Sequence, residues 1–125
     1  MDNAVLVVED DRILAETTRA LLEWEGYRVR IARNGQEGLV EVRCRRPCVV
    51  LLDLMMPVMT GWDFIAELQA DPSFRDLPVI IVSAVADQAP PGAAEVLAKP
   101  YEMSRLLELV GRHCRLTWFE KGRRS

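Results

Sequence analysis

The sequence predicts a doubly wound α/β fold, with five parallel strands in the order 2-1-3-4-5 and a shortened fourth helix. Three observations carry this expectation. First, the runs AVLVV (4–8), VVLL (49–52) and VIIV (79–82) are continuously apolar and rich in branched residues, as in strands covered on both faces. Second, stretches with helical spacing separate these runs, which implies right-handed crossovers between parallel strands. Third, polar residues stand where the strands end: Glu9-Asp10-Asp11, Asp53, Ser83 and Lys99. A doubly wound sheet binds its ligands at those carboxyl ends, beside the topological switch between strands one and three.

Each element follows in order. A helix over 12–25 succeeds strand one, with Asp11 as N-cap. Ile13, Leu14, Thr17, Leu21 and Trp24 are assigned to its inward side, and Gly26 is its stop. YRVRI (27–31) alternates apolar and basic residues, so one side meets water, as on an edge strand. The second helix covers 36–46 with Leu39 and Val42 inward, and Arg43, Arg45 and Arg46 form a solvated end favoured by the dipole. After strand three, Thr60 caps a helix over 61–70 that turns Phe64, Ile65 and Leu68 inward. Strand four leads into ADQAPPGAAE, where Pro90-Pro91-Gly92 leaves room for about one turn of helix. VLA (96–98) is a short second edge strand. The last helix covers 102–114, with Met103, Leu106, Leu107, Val110 and Cys114 on its core side and Leu109 turned away toward a partner surface. Trp24 and Trp62 are expected to cover helix ends, and His113 is read as structural. Trp118 and Phe119 either fold back on the last helix or meet a partner.

Half of the 125 residues are hydrophobic and 28% are charged, a composition that suits one soluble domain with one core. Residues 1–116 are expected to form it, with 117–125 a short tail and no output domain. The net charge of −3 argues against a nucleic-acid binder, which needs basic excess. Lys121, Arg123 and Arg124 are read as solvated terminal charges. No apolar run is long enough to span a membrane. The acidic start MDNAVLVVEDD lacks the basic region of a signal peptide, so a cytoplasmic location is expected. Cys44, Cys48 and Cys114 are odd in number and lack a CxxC pair, which favours free thiols in a reducing compartment.

The acids at the strand ends carry the chemistry. Carboxylates gathered in one crevice repel one another unless a proton or a cation settles them. Oxygen-only ligands favour Mg²⁺, which takes few carboxylates and keeps several waters. Lys99 adds a fixed positive charge. Such a site would hold a dianionic group beside Asp53 and suits phosphoryl transfer to a carboxylate.

VLVVEDD, LLDLMMPVMTG, VIIVSA and the AKP triplet, four blocks in order and each at a strand end, resemble the signature blocks of receiver domains from two-component response regulators. The resemblance covers positions 4–114 and implies a flavodoxin-like sheet. It implies Asp53 as phosphoacceptor, with Ser83 bonding a phosphoryl oxygen and Lys99 pairing with it. It implies Mg²⁺ held by Asp10 and Asp53, by Glu9 mainly through water, and by the backbone carbonyl of Met55. The implied donor is a sensor histidine kinase, a histidine phosphotransfer protein or a small phosphodonor. The implied output is contact with another protein or onward transfer, with no enzyme activity beyond the chain's own phosphorylation and dephosphorylation. Ala84 leaves a path for the donor, flanked by Met55 and Val85. None of these offers a group to orient water, so slow dephosphorylation is expected.

Two features depart from the family pattern. Val96 stands where an aromatic residue commonly precedes the lysine by three positions, and the span from Ser83 to Lys99 is short by most of a helix. These motivate one alternative, a receiver-like interaction module independent of phosphorylation. A haloacid dehalogenase-type hydrolase would place an acid where Met55 stands. A flavodoxin-type FMN carrier would place hydroxyls where Glu9-Asp10-Asp11 stand.

Overall fold

The computed structural model describes residues 4–115. The order along the chain is β1 (Ala4–Val8), α1 (Arg12–Trp24), β2 (Arg28–Ala32), α2 (Gly35–Cys44), β3 (Val49–Leu52), α3 (Gly61–Ala70), β4 (Val79–Ser83), a 3-10 turn (Ala86–Gln88), β5 (Glu95–Ala98) and α4 (Met103–Gly111). The five strands form one parallel sheet in the order β2-β1-β3-β4-β5, as the sequence predicts. The 3-10 turn is all that stands in place of a helix between β4 and β5. Gly26, at φ 104, follows α1 in a left-handed conformation that glycine adopts at no steric cost.

Alternation along the strands divides the core in two. Leu6, Val8, Val50, Leu52, Val79 and Ile81 face α2 and α3, where Leu39, Val42, Phe64, Ile65 and Leu68 cover them. Val5, Val7, Val49, Leu51, Ile80 and Val82 face α1 and α4. Both faces of the central strands are therefore dry, which is why those runs carry no alternating polar residue. No described helix is long and apolar enough to cross a membrane.

The second layer corrects the reading of α1. Ala15, Thr18 and Leu22 are its buried residues. Ile13 is 79% exposed, Leu21 39% and Trp24 82%; Thr17 is exposed and Leu14 half-buried. The inward stripe keeps helical spacing, but Ala15 and Thr18 are small and only Leu22 is bulky, so the bulkier stripe dominates the periodicity while facing out. Trp24 does not cover a helix end as core. Trp62 does, packing against the core with its Nε1 donating to the Gln88 carbonyl at 2.9 Å. Leu109 is likewise buried, at 1% exposure. The inner face of α4 is centred on Leu106, Leu109 and Val110, which leaves Met103 and Leu107 half-buried at its margins.

The cysteines are also corrected. Cys48 and Cys114 form a disulfide with Cα atoms 5.4 Å apart, across 66 residues, and exposed Cys44 is the free thiol among the described residues. Cys48 precedes β3 and Cys114 follows α4, so the fold brings both to the same end of the sheet, and no local pattern signals the meeting. Arg46 is less solvated than expected, since it reaches the Ser73 carbonyl and the Asp76 carboxylate, both at 3.0 Å. His113 stands 3.7 Å from Glu95, a structural position. Trp118, Phe119 and the basic residues of the tail lie outside the described residues.

The reassigned face of α1 makes a stability prediction. Phe64→Ala empties a fully buried site and is expected to cost about 3–5 kcal/mol. Ile13→Ser is expected to change stability by less than about 0.5 kcal/mol. Urea denaturation of both variants checks the contrast.

Candidate functional site

Register sets the site. β1 and β3 pair Val8 with Leu52, so Glu9 and Asp53 leave the sheet side by side at the switch point. Their backbones continue the ladder: the Glu9 N–H donates to the Ala32 carbonyl at 3.0 Å and the Asp53 N–H to the Val8 carbonyl at 3.3 Å. β4 and β5 pair Ser83 with Ala98, and the Lys99 N–H then donates to the Ser83 carbonyl at 3.0 Å. Four strand ends thus converge on one rim.

The side chains meet there. Lys99 Nζ lies 3.1 Å from Asp53 Oδ2 and 3.4 Å from Glu9 Oε1. The other oxygen of each acid is held by backbone: Asp53 Oδ1 accepts from the Met55 N–H and Glu9 Oε2 from the Asp11 N–H, both at 3.1 Å. Asp53 is 9% exposed and Glu9 7%, while Asp10 is exposed. Asp11 is turned aside to cap α1, accepting from the Leu14 N–H at 3.1 Å. Ser83 is fully buried, and its Oγ accepts from the Val85 N–H at 3.3 Å. The Met55 side chain is 58% exposed, so that residue meets the site through its backbone N–H. Ala84 is exposed and Val85 half-buried.

The loop after Asp53 is held close. A Cβ on Gly61 would come within 2.7 Å of the Asp53 carbonyl oxygen and of Leu54 Cα, so only glycine allows α3 to start there. Its N–H donates to the Leu54 carbonyl at 3.0 Å. Val58, at φ 70, is in the left-handed region that a branched residue adopts only under constraint.

Electrostatics follow from burial and proximity. Desolvation, aided by Asp53, raises the Glu9 carboxyl above its usual range, although the Asp11 N–H and Lys99 pull the other way. Burial alone would lower the Lys99 ammonium, but the Glu9 and Asp53 charges outweigh it and raise it. Glu9, Asp10 and Asp53 each bring an oxygen within 4.8 Å of the others. Three carboxylates against one ammonium leave the cluster short of positive charge. Its donors are all oxygen, and Asp10 opens it to water. That set fits a hard divalent cation such as Mg²⁺.

Two residues near the site carry no motif. Thr18 and Tyr101 line a cavity of about 20 Å³ beneath Asp53 and Lys99. Neither could be picked out before α1 and the segment after β5 were brought together. Val96 is 47% exposed and does not line that cavity.

A five-stranded parallel sheet in the order β2-β1-β3-β4-β5, with acids, a hydroxyl and a lysine at its strand ends, defines a receiver-type fold. A family model for the response regulator receiver domain matches residues 5–111, and the chain belongs to that family. It is 35% identical over 109 residues to the response regulator MprA of Mycolicibacterium vanbaalenii, covering 82% of this chain and 46% of that protein. It is 34% identical over 116 residues to the DNA-binding response regulator MtrA of Mycobacterium leprae, covering 88% and 50%. The chain thus spans about half the length of the curated relatives it matches. Among solved structures, the receiver domain of a sensor histidine kinase from Pseudomonas aeruginosa, with magnesium in its active-site cleft, superposes with a TM-score of 0.82 at 27% identity over 90% of this chain and 98% of that one. The response regulator TrrA of Thermotoga maritima, in complex with Mg²⁺ and BeF, gives 0.79 at 26% identity over 89% and 98%.

The raised Glu9 carboxyl sets a pH dependence. Its folded pKa lies above the unfolded value, so ionised Glu9 opposes folding above the folded pKa, and that cost vanishes below the unfolded one. In EDTA at neutral pH, Glu9→Gln is therefore expected to be more stable than the native chain. The advantage should disappear as pH falls toward the ordinary carboxylate range. Thermal melts across pH, without metal, check the sign.

Proposed function

We propose that residues 1–116 act as a phosphoryl-accepting receiver in two-component signalling, with Asp53 as the acceptor. The observation that supports this best is the convergence of Asp53, Glu9, Asp10, Ser83 and Lys99 on one rim. A strand-end acid that merely shaped its loop would not need a lysine and two further acids around it.

The roles follow from placement. A carboxylate oxygen of Asp53 attacks phosphorus as the donor's P–N bond breaks. The product is an acyl phosphate, and the departing imidazole takes its proton from solvent. Lys99 turns from the Asp53 carboxylate to the new phosphoryl oxygens. The Ser83 hydroxyl, now accepting from Val85, donates to one of them. Glu9, Asp10, Asp53 and the backbone carbonyl of Met55 would hold Mg²⁺, which when bound supplies charge neutralisation at the transferring group.

The phosphodonor is a sensor histidine kinase or a histidine phosphotransfer protein, and its docking face is α1. Ile13 stands on the first turn of that helix, three residues after Asp10 in sequence, and is 79% exposed. Leu21 and Trp24 extend the apolar stripe. Exposed apolar surface so close to a reactive rim suits a partner that must bring a phosphohistidine into it. The output is contact with a further protein or onward transfer of the phosphoryl group.

Two outcomes are expected. Intact mass after incubation with Mg²⁺ and acetyl phosphate, or with a broad-specificity histidine kinase, should show one added phosphoryl group. That group should be absent without Mg²⁺ and absent in Asp53→Ala, and on the native chain it should outlast minutes. No gain from either donor would overturn the proposal. Ile13→Asp should slow transfer from a donor protein by about tenfold or more while leaving acetyl phosphate unaffected. Equal loss with both donors would remove α1 as the docking face.

A further inference from the structure

We infer that the tight turn at Val58, with Met59 seated on Gly35, is a positioning device that fixes the Met55 backbone against Asp53 before a cation or phosphodonor arrives. This rests on the reading above, in which the Met55 carbonyl is a ligand to Mg²⁺, and assigns what holds that residue in place. The Met59 N–H donates to the Pro57 carbonyl at 2.8 Å, a bond between residues two apart, which makes the segment a γ-turn. Its central residue is Val58, at φ 70. Turns of this hand are rare and strained, and a branched side chain makes the left-handed region least favourable. Among the described residues Val58 is the one non-glycine residue at positive φ. It is also 77% exposed, so its own side chain has little packing to hold it there. The constraint comes from its neighbours.

Those neighbours are anchored on both sides. Leu54 and Met56 are buried, while Met55 between them is exposed. Met59 packs against the same core layer. Its Cγ lies 2.8 Å, and its Sδ and carbonyl oxygen 3.0 Å, from the point where a Cβ on Gly35 would stand, so α2 can begin against Met59 only without a side chain. The Leu54 carbonyl accepts from the Gly61 N–H at 3.0 Å, which closes the loop at its ends. A loop this short must reverse sharply, and the γ-turn at Val58 is where it does so. Met55 is thereby pinned. Its N–H donates to Asp53 Oδ1 at 3.1 Å, and the peptide that carries its carbonyl continues into buried Met56. Strain held by well-anchored neighbours beside a reactive group is a mark of preorganisation. A ligand group placed before binding loses less freedom when the ion arrives.

Amide hydrogen exchange of the full chain in EDTA reads the Met55 N–H against the Val50 N–H, which is bonded to the Pro78 carbonyl in the core. In Gly35→Ala the new Cβ displaces Met59, and Met55 should exchange about tenfold faster or more while Val50 is unchanged. Alanine suits a helix better than glycine, so weakening of α2 is not the reason. Val58→Pro, whose ring locks φ at about −65°, should act in the same way. Val58→Gly adopts positive φ without strain. It should protect Met55 at least as well as the native chain and melt about 2 to 6 °C higher. Calorimetric Mg²⁺ affinity should fall about threefold or more in Gly35→Ala and Val58→Pro, and hold in Val58→Gly. Retention by glycine separates a role for the turn from a general loss of packing. Unchanged Met55 exchange in Gly35→Ala would overturn the inference, and so would a Val58→Gly variant that melts lower or exchanges faster at Met55. Should Val58→Pro fail to fold, Gly35→Ala and Val58→Gly still decide. Because the exchange arm needs no metal, a native chain that binds no Mg²⁺ would sink the proposed metal site without touching this result.

Discussion

The ammonium of Lys99, held between Asp53 and Glu9, is the interaction on which the site depends. Two carboxylates that are each less than a tenth exposed cannot lie side by side without a counter-charge. Supplying it requires β1, β3 and β5 to end on one rim although they are far apart in sequence. The parallel register does this, with Val8 level with Leu52 and Ser83 level with Ala98. The backbone N–H groups of Asp11 and Met55 take the acid oxygens that Lys99 does not reach. Exposed Asp10 then leaves an excess of negative charge on the solvent side, where a hard cation fits.

Most of this was legible because it is written in pattern and position. Continuous apolar runs such as VVLL mark strands buried on both faces, and the polar residue after each run marks its carboxyl end. Capping was legible too, since Asp11 and Thr60 accept from the third residue onward as their side chains suggest. The misread faces of α1 and α4 share one cause. Periodicity says that a helix has a face, but bulk alone does not say which face the sheet takes. On α1 the sheet takes Ala15, Thr18 and Leu22 and leaves Ile13 and Trp24 outside. On α4 the sheet takes Leu106, Leu109 and Val110 and leaves Met103 and Leu107 at the margins. The Cys48–Cys114 disulfide joins positions 66 residues apart in sequence, so only the assembled fold brings them together.

The departures from the family pattern have structural counterparts. Val96 is half-exposed on an edge strand, and a 3-10 turn replaces a helix between β4 and β5. Tyr101, which follows the lysine, lines the small cavity beside Glu9, Asp53 and Lys99. Helix α1 presents its apolar stripe to solvent. The complete set of acids, hydroxyl and lysine weighs against a module freed from phosphorylation, since a bare interaction surface has no use for a costly cluster of charges.

The central claim is that the rim is built for a hard cation held by acids from β1 and β3. A calorimetric Mg²⁺ titration of the native chain, Asp10→Asn and Asp53→Asn tests it most directly. The native chain should show one saturable site, and both variants should lose it. Binding that survives both substitutions, or no binding in the native chain, would contradict it.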